Sequence, residues 1–501
     1  MLSERIKKGG KNVKKKQTIR VSVLLACILL LAASAVTIFW FINKSVMKEE
    51  VNYELFSAFT EVEEFQSIPA MNGKNIKIGS VIDYGSQNYL LDVNGSTVEE
   101  YKNYLDILIS SGFQKHSDNG EEAMEGNVYT SAFQKENLTV VISHIIMANK
   151  TYISAGYDKE LSEHMIFKDE YVADANIKPA TKLHMLELNN FGASFVIELK
   201  NGHFVIQDGG QDVDAPYLLD YLEQLTPGDE KPVVEGWFIS HPHGDHYGAL
   251  HKIANTPTYK NRIYVNEVYF HRPPDAFMVD PDPEIHLDPM FSDMVEDLHY
   301  LLTAEGGEPA KGYRPQIGQR YYFCDIYIDV VMTTEQLLVE QKRGHDVNDT
   351  STWLMTHVEG QRILIGGDAG YTSTSALVNL YSPEYLDVDI FAVLHHGINV
   401  YDYFTDYINF DTALYPIFRK GSAYSLKASG TLGTRFARVE ENERLVAKAK
   451  DVYSYEDGSV VLTFPYVVGT AEITEPCDWR YTPSKTQARY TSGWGWDEGD
   501  L

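Results

Sequence analysis

The sequence predicts an α/β protein that is preceded by a single transmembrane helix and a small α+β domain. Three observations predict it: an uncharged run near the amino terminus, strand-like segments around one helix up to about residue 175, and alternating strands and helices thereafter. With 501 residues, 44% of them hydrophobic, the chain can bury the cores of two or three domains. This composition, with only three cysteines, excludes a wholly disordered chain and a disulfide-stapled miniprotein.

The first predicted element is a membrane anchor. Residues 1–20 contain eight Lys/Arg, whereas the 22 residues from Val21 to Ile42 carry no charge. A helix of that length spans a hydrocarbon core of about 30 Å. The positive-inside rule places residues 1–20 in the cytoplasm, so we expect a single-pass cell-membrane protein whose carboxyl-terminal domains are extracellular. The alternative is a signal peptide cleaved near Ala33-Ser34-Ala35, but the apolar run exceeds the usual core of about 7–15 residues.

The charge of the chain is unevenly distributed. The first 50 residues contain ten Lys/Arg and three Asp/Glu, so the remainder carries a net charge of −35 within a total of −28. An acidic surface repels phosphate backbones, which argues against nucleic acid as a partner. The sequence does not indicate an oligomeric state.

Residues 43–177 are predicted to form the small α+β domain. Thr97-Val98-Glu99-Glu100 is a capping box, and apolar residues then recur at helical spacing until Gly112. No cluster of His, Cys or paired carboxylates in this domain indicates chemistry, so its role stays open. The strand-like segments around the helix are 76–82, 129–133, 138–146 and 152–155.

From about residue 178 strands and helices alternate, which is typical of α/β proteins. Functional residues are then expected at strand ends. Residues 271–320 are expected to be an insertion with a helix near 290–302. The predicted strands include 194–199, 204–207 and 237–240, and the predicted helices lie near 217–225 and 246–254.

One loop carries the predicted chemistry. Ser240-His241-Pro242-His243-Gly244-Asp245-His246 places three histidines and an aspartate between a strand and a helix. Such a loop can direct alternate side chains to two neighbouring points. His241 and His243 can therefore bind one metal ion, while Asp245 and His246 bind a second ion about 3.5–4 Å away.

This motif resembles the metallo-β-lactamase superfamily. Asp208-Gly209-Gly210 matches the early Asp-Gly of that family, Asp368 matches its bridging aspartate, and Leu394-His395-His396-Gly397 matches its final histidine. The resemblance implies an αββα sandwich over residues 178–467, followed by a carboxyl-terminal tail at 468–501.

The resemblance also implies a cofactor and a set of site residues. Two divalent metal ions would activate water as a metal-bound hydroxide. Zinc is the default for mixed His and Asp ligands, and manganese and iron are the alternatives. Asp245 is the predicted catalytic residue, and Asp208 is expected to support a ligand histidine. The predicted metal ligands are His241, His243, Asp245, His246, Asp368 and His395.

Two positions leave alternatives open. The third histidine ligand of the family corresponds to Asn348 here, and His345 is an alternative ligand three residues earlier. His395 is favoured over His396 because it comes directly at a strand end, and His396 then contacts a leaving group or packs. The Asn348 form and the His-His-Gly motif resemble the competence-protein (ComEC-like) branch of the superfamily.

The resemblance implies a membrane-anchored extracytoplasmic metal-dependent hydrolase. Its expected location favours a small molecule or a cell-envelope component as substrate, such as an ester, a phosphodiester or a phosphorylcholine-type group on a wall polymer. A nuclease like the competence domain is one alternative, but the acidic charge and the lack of a basic residue between Gly397 and Arg419 count against it. A non-catalytic, metal-containing surface binding module is another, and the intact Asp368 counts against that.

Overall fold

The computed structural model describes most of the chain between residues 63 and 475. The expected span at 21–42, the helix near 290–302 and the tail from 476 onward lie outside the described residues and stay predictions. Within the described part of the chain, no helix is long and apolar enough to cross a membrane. The described ranges are 63–84, 88–120, 123–157, 160–169, 177–188, 192–228, 230–271, 310–340, 347–416, 439–455 and 458–475.

The first domain is an antiparallel six-stranded sheet with one helix, α1 (Val98–Ser110), packed against it. The predicted capping box is confirmed, because Thr97 Oγ1 accepts from the Glu100 backbone N–H while the Glu100 carboxylate accepts from the Thr97 N–H. The helix buries Tyr101, Tyr104 and Leu108 in the domain core. The strands, in sheet order 1-2-6-5-4-3, are β1 (Lys77–Asp83), β2 (Asn88–Asn94), β3 (Gln114–Asp118), β4 (Val128–Lys135), β5 (Leu138–Ile145) and β6 (Lys150–Tyr157).

The remaining strands form two mixed sheets. In the eight-stranded sheet, order 12-11-10-9-8-7-20-21, the strands are β7 (Lys182–Met185), β8 (Phe195–Glu198), β9 (Phe204–Gln207), β10 (Val233–Ile239), β11 (Tyr264–Phe270), β12 (Lys311–Tyr313), β20 (Val460–Thr463) and β21 (Glu472–Ile473). In the seven-stranded sheet, which runs in chain order, they are β13 (Arg320–Phe323), β14 (Ile326–Met332), β15 (Trp353–Val358), β16 (Gln361–Ile365), β17 (Asp387–Ala392), β18 (Asn409–Tyr415) and β19 (Asp451–Ser454).

Strand alternation makes these two sheets a sandwich with helices on both faces. Along β15, Leu354 belongs to the core shared with the eight-stranded sheet, whereas its neighbour Met355 belongs to the core under the helices. The αββα arrangement expected from the sequence is therefore present. The helices are α2 (Ala215–Leu225), α3 (Gly244–Ala254), α4 (Pro257–Lys260), α5 (Glu335–Glu340), α6 (Tyr371–Leu380), α7 (Asp402–Tyr407) and α8 (Val439–Lys448).

The parallel strands of both sheets end at one edge of the sandwich. Strands β9, β10 and β11 are parallel neighbours in one sheet, and β16 and β17 are parallel neighbours in the other. Their carboxyl ends carry the loops that hold the predicted site residues. The Thr352 N–H donates to the Ser240 carbonyl at 2.9 Å, which joins the two sheets at this edge.

The small domain is fixed to the sandwich by buried hydrogen bonds to one turn before β13. Ser143 Oγ donates to the Ile317 carbonyl at 2.7 Å, and Asn119 Nδ2 donates to the Gly318 carbonyl at 3.0 Å. Buried polar groups lose water on folding and need such partners, so separating the domains would leave them unsatisfied. Gly318 has a φ of 86°, and a Cβ there would lie 2.0 Å from Thr130 Oγ1.

The substitution Gly318→Ala is expected to lower the free energy of unfolding by about 2–4 kcal/mol, because it adds a steric clash to the cost of a left-handed backbone. Gly360→Ala is the matched control, since Gly360 has a φ of 78° and nothing within 4 Å of the added Cβ. That control should cost only about 1 kcal/mol. Urea unfolding followed by tryptophan fluorescence measures both, and equal losses would show that the turn is not tightly packed.

Candidate metal centre

A group of four side chains lies at the edge described above. Asp245 and His246 stand in the first turn of α3, Asp368 follows β16, and His396 follows β17. One ligand atom from each lies within 4.8 Å of the others. His246 Nε2 is 3.0 Å from Asp368 Oδ1, and His396 Nε2 is 3.2 Å from Asp245 Oδ2. We call these four residues the Asp245 cluster.

A second group, which we call the His241 cluster, consists of His241, His243 and Asp368. His241 Nε2 lies 3.0 Å from His243 Nδ1 and 3.9 Å from Asp368 Oδ2. Asp368 therefore belongs to both clusters, which is the position that a bridging carboxylate requires. The structure thus brings together every predicted ligand except His395.

Asp208 orients two of the histidines. Its buried carboxylate accepts hydrogen bonds from the Ser240 N–H and the Ser240 hydroxyl, both at 2.8 Å, and lies 2.8 Å from His246 Nδ1. Ser240 Oγ is in turn 3.0 Å from His241 Nδ1. Because each Nδ1 has a partner on the outer side, the Nε2 atoms of both histidines face the clusters. This is the supporting geometry typical of metal-binding histidines.

Two glycines bring Asp368 to the site. A Cβ on Gly366 would lie 2.5 Å from the Trp353 ring, and a Cβ on Gly367, whose φ is 53°, would lie 2.7 Å from Ser240. Trp353 is fully buried, so it cannot give way without opening a cavity in the core. Packing against Trp353 of the same sheet and against Ser240 of the other sheet therefore admits only glycine at the two positions before Asp368.

In the turn after β17, the histidine that reaches the Asp245 cluster is not the one expected from the sequence. That expectation favours His395, because it assumes that strand geometry determines which histidine faces the metals. Instead His395 and His396 both have left-handed backbones, with φ of 47° and 53°, so strand alternation does not apply. His396 Nε2 reaches the Asp245 cluster, whereas His395 Nε2 lies 3.5 Å from Asp368 Oδ2 and belongs to neither cluster.

The outer ring nitrogens of these two histidines also differ. His396 Nδ1 lies 2.9 Å from the Pro416 carbonyl, to which it can only donate, so Nε2 is the ring nitrogen that is directed at Asp245 and could bind a metal ion once its proton is displaced. His395 Nδ1 is buried and makes no hydrogen bond. The geometry therefore favours His396 as the ligand from this turn.

Opposite charges dominate the electrostatics of the Asp245 cluster. Burial by itself would lower the pKa of His246 and His396, but Asp368 and its neighbouring carboxylates outweigh burial. They raise the pKa of His246 well above its usual value and that of His396 to about 9. For the carboxyls the two effects have the opposite sign. Burial by itself would raise the pKa of Asp245 and Asp368, but the charge of His246 holds the pKa of each below its usual value. Protons on the histidines thus balance the carboxylates.

The donor set fits divalent metal ions. His246 Nε2 is buried and close to Asp368 Oδ1, yet it is not aligned for a hydrogen bond. Such an arrangement is favourable when a cation lies among the donor atoms. Burial, and then the neighbouring His246 and His243, lower the pKa of His241 well below its usual value, so its lone pair is available. Mixed imidazole and carboxylate donors suit zinc, manganese or iron.

The third-ligand region supports Asp368 through its backbone. Asn348 is buried in the turn Val347–Thr350, and its carbonyl accepts from Ser351 Oγ at 2.8 Å. Ser351 Oγ then accepts from the Asp368 N–H at 3.2 Å. His345 lies outside the described residues, so its role stays a prediction.

A second buried pair, His271 and Glu335, lies at this edge and was not predicted from the sequence. His271 directly follows β11, the neighbour of β10, and its Nε2 lies 2.6 Å from Glu335 Oε1. Both side chains are buried, and the Tyr84 ring of the small domain meets the His271 ring edge-on at 5.8 Å. The available signal was a histidine placed directly after a strand-like segment, but its partner is 64 residues away.

The chain is similar to one protein family and to several solved structures. Residues 189–400 match the family model described as metallo-beta-lactamase superfamily. A metallo-beta-lactamase from Cronobacter sakazakii is similar over 43% of this chain and 77% of its own, with 16% identity and a TM-score of 0.27. The diiron β-hydroxylase CmlA from Streptomyces venezuelae is similar over 57% and 55%, with 10% identity and a TM-score of 0.32.

A structure from Thermotoga maritima that is described as a Zn-dependent hydrolase of the metallo-beta-lactamase superfamily is similar over 47% of this chain and 74% of its own. Its identity is 11% and its TM-score is 0.22. None of the curated proteins compared with the chain matches it significantly.

The purified chain is expected to bind about two zinc ions, and Asp368→Asn should bind fewer than one, since Asp368 belongs to both clusters. His396→Ala should lose about one ion, whereas His395→Ala should keep about two. Elemental analysis after dialysis measures these contents. Asp411→Asn, which changes an acidic residue paired with Lys450, is the control. Loss of metal from His395→Ala but not from His396→Ala would reverse our assignment of the ligand.

Zinc binding is expected to release protons and to strengthen as the pH rises. The pKa of about 9 at His396 means that its ring carries a proton at pH 7, which a metal ion must displace. Below that pKa the affinity should rise by up to about tenfold per pH unit for each proton displaced. Competition with a chromophoric chelator at several pH values measures the slope.

The variant His396→Gln should show a shallower slope. His203→Gln is the control, because His203 pairs with Glu235 away from both clusters and should leave the slope unchanged. An unchanged slope in His396→Gln would show that the displaced protons come from elsewhere.

Proposed function

We propose that this chain, whose residues 189–400 form a metallo-β-lactamase superfamily domain, is a metal-dependent hydrolase. The observation that carries the proposal is the pair of clusters that meet at Asp368. Their donor atoms converge at the edge of the sandwich where loops from both sheets meet. A purely structural metal site would need no such shared carboxylate, because four ligands around one ion suffice.

The two clusters would hold two different metal ions. His241 and His243 would hold one ion, Asp245, His246 and His396 the other, and Asp368 both. Ions held in this way would lower the pKa of bound water and would stabilise negative charge that develops on oxygen. Asp208 and Ser240 keep the imidazoles in their orientation during the reaction.

We further propose that the enzyme is anchored in the cell membrane with its catalytic domain outside the cytoplasm, as the charge pattern around residues 21–42 indicates. Its substrate is then a small molecule or an envelope component that contains an ester or phosphodiester bond. A nuclease of the competence-protein type is disfavoured by the net charge of −28. Superfamily membership alone does not select the bond that is cleaved.

The zinc-loaded chain is expected to hydrolyse bis(p-nitrophenyl) phosphate or a p-nitrophenyl ester, and a chelator should abolish this activity. Asp245→Ala should lower kcat by at least about a hundredfold, because it removes a ligand of one of the two ions. Asp411→Asn should keep wild-type turnover.

Release of nitrophenolate from these substrates, together with ring opening of a chromogenic lactam, distinguishes three outcomes. Chelator-sensitive turnover that Asp245→Ala loses supports a hydrolase. Turnover that survives both changes comes from a contaminant. A chain that binds two ions and cleaves neither substrate class nor a lactam would contradict the proposed function and favour a binding module.

A further inference from the structure

A buried asparagine on helix α8 contacts the turn that carries His396. Asn442 is 3% exposed, and its Nδ2 donates to the Gly397 carbonyl at 2.8 Å. Its Oδ1 accepts from the Tyr415 hydroxyl at 3.1 Å. Because a carbonyl oxygen can only accept, these two partners fix the orientation of the amide. Both halves of the amide are hydrogen-bonded, which offsets the cost of its burial.

Helix α8 buries few side chains. Of its residues 440–448, only Asn442 and Leu445 are buried. An apolar side chain is the usual choice on the buried face of a surface helix, and asparagine is usually exposed. The asparagine therefore indicates that this position of the helix serves the turn rather than the hydrophobic core.

The turn needs support from outside its own residues. His395, His396 and Gly397 have φ of 47°, 53° and 86°, so three consecutive residues have left-handed backbones. For the two histidines this conformation is unfavourable, and it persists only where the surrounding structure imposes it. The Ile398 N–H donates to the His395 carbonyl at 2.7 Å inside the turn, and the Asn442 amide holds the Gly397 carbonyl from outside.

Tyr415 connects helix α8 to the histidine that reaches the metal centre. Its hydroxyl donates to the α8 asparagine, while the carbonyl of the next residue, Pro416, accepts from His396 Nδ1 at 2.9 Å. A Cβ on Gly397 would lie 3.2 Å from the Tyr415 ring, so the ring packs directly against the turn. The end of β18 and helix α8 therefore fix the turn together.

We infer that Asn442 is a positioning residue for metal binding at the Asp245 cluster. It acts through His396, by holding the turn in the conformation in which His396 Nε2 reaches that cluster. Binding of the ion and docking of α8 then stabilise each other, because both favour the same conformation of the turn. This inference rests on the proposed function in that it takes His396 as a metal ligand, but it does not require that the chain hydrolyse a substrate.

The test is a titration of the full chain with zinc in competition with a chromophoric chelator. Asn442→Leu keeps the side-chain volume and removes both hydrogen bonds, so it should weaken binding of one ion by about 10–100-fold. Tyr415→Phe should weaken the same ion by a smaller factor, since it removes only the bond that orients the amide. His396→Ala identifies that ion as the one of the Asp245 cluster.

The matched control is a buried asparagine elsewhere in the chain. Asn119 is 7% exposed, and its Nδ2 donates to the Gly318 carbonyl at 3.0 Å where the small domain meets the sandwich. Asn119→Leu makes the same chemical change and should leave both zinc affinities unchanged. Circular dichroism of each variant checks that a loss of binding does not come from unfolding.

A second measurement needs no metal ion. In the metal-free chain, the His396 Nδ1 proton that is bonded to the Pro416 carbonyl should exchange slowly with water, as NMR of ¹⁵N-labelled histidine measures. Asn442→Leu should speed this exchange by at least about tenfold, because the turn opens more often without the amide. The signal is assigned by its absence from His396→Ala.

Three results would overturn the inference. One is that Asn442→Leu binds both ions as tightly as the wild type while His396→Ala loses one. Another is that the His396 proton exchanges at the wild-type rate in Asn442→Leu. The third is an equal loss of affinity in Asn119→Leu, which would assign the effect to general stability. A wild-type chain that binds two ions but cleaves no substrate would contradict the proposed function alone and leave these comparisons intact.

Discussion

The structure of the site depends on the burial of carboxylates at one edge of the sandwich. Asp208 and Asp368 are almost completely buried, and Asp245 is 12% exposed. Charges in such surroundings are costly unless opposite charges or donors surround them. The histidines of the HPHGDH loop and of the turn after β17 provide those partners. Protons and metal ions are thus alternative counter-charges for the same carboxylates, and the site is built to exchange one for the other.

This requirement explains why the two sheets approach so closely here. Carboxylates from one sheet must reach histidines from the other, and the backbone between them leaves no room for side chains. Gly367 lies against Ser240 of the other sheet, while Gly366 lies against the Trp353 ring of its own sheet. The Trp353 indole N–H also donates to Ser373 Oγ at 2.8 Å, so the packing of the core and the placement of Asp368 are set together.

Much of this architecture could be predicted from the sequence, because it is encoded locally. The capping box at Thr97 and the loop from Ser240 to His246 are contiguous signals. Strands β2 and β3 were missed for the opposite reason. Asn88–Asn94 begins and ends with asparagine, and Gln114–Asp118 contains no apolar residue. Only pairing with their neighbours makes these segments strands, and pairing partners are not visible in a local pattern.

The choice between His395 and His396 fails to follow from sequence for a similar reason. A left-handed turn reverses the expected facing of the side chains, and the carbonyl that orients His396 belongs to Pro416, 20 residues later. The prediction of His395 holds only if strand geometry continues through this turn. Nothing in the adjacent residues signals that it ends, because two consecutive histidines at positive φ are uncommon.

The small domain contacts the edge of the sandwich that carries the metal centre, although its own sequence indicates no chemistry. Its sequence contains no catalytic cluster, yet its Tyr84 ring meets the His271 ring and stacks under the Arg314 guanidinium at 4.2 Å, at the same edge as the metal centre. The buried hydrogen bonds to Ile317 hold the domain in that position. Separating the small domain from the sandwich would leave these buried groups without partners, so the hydrogen bonds oppose independent movement of the domain. The Tyr84 ring is therefore held at the edge of the sandwich that carries the metal centre.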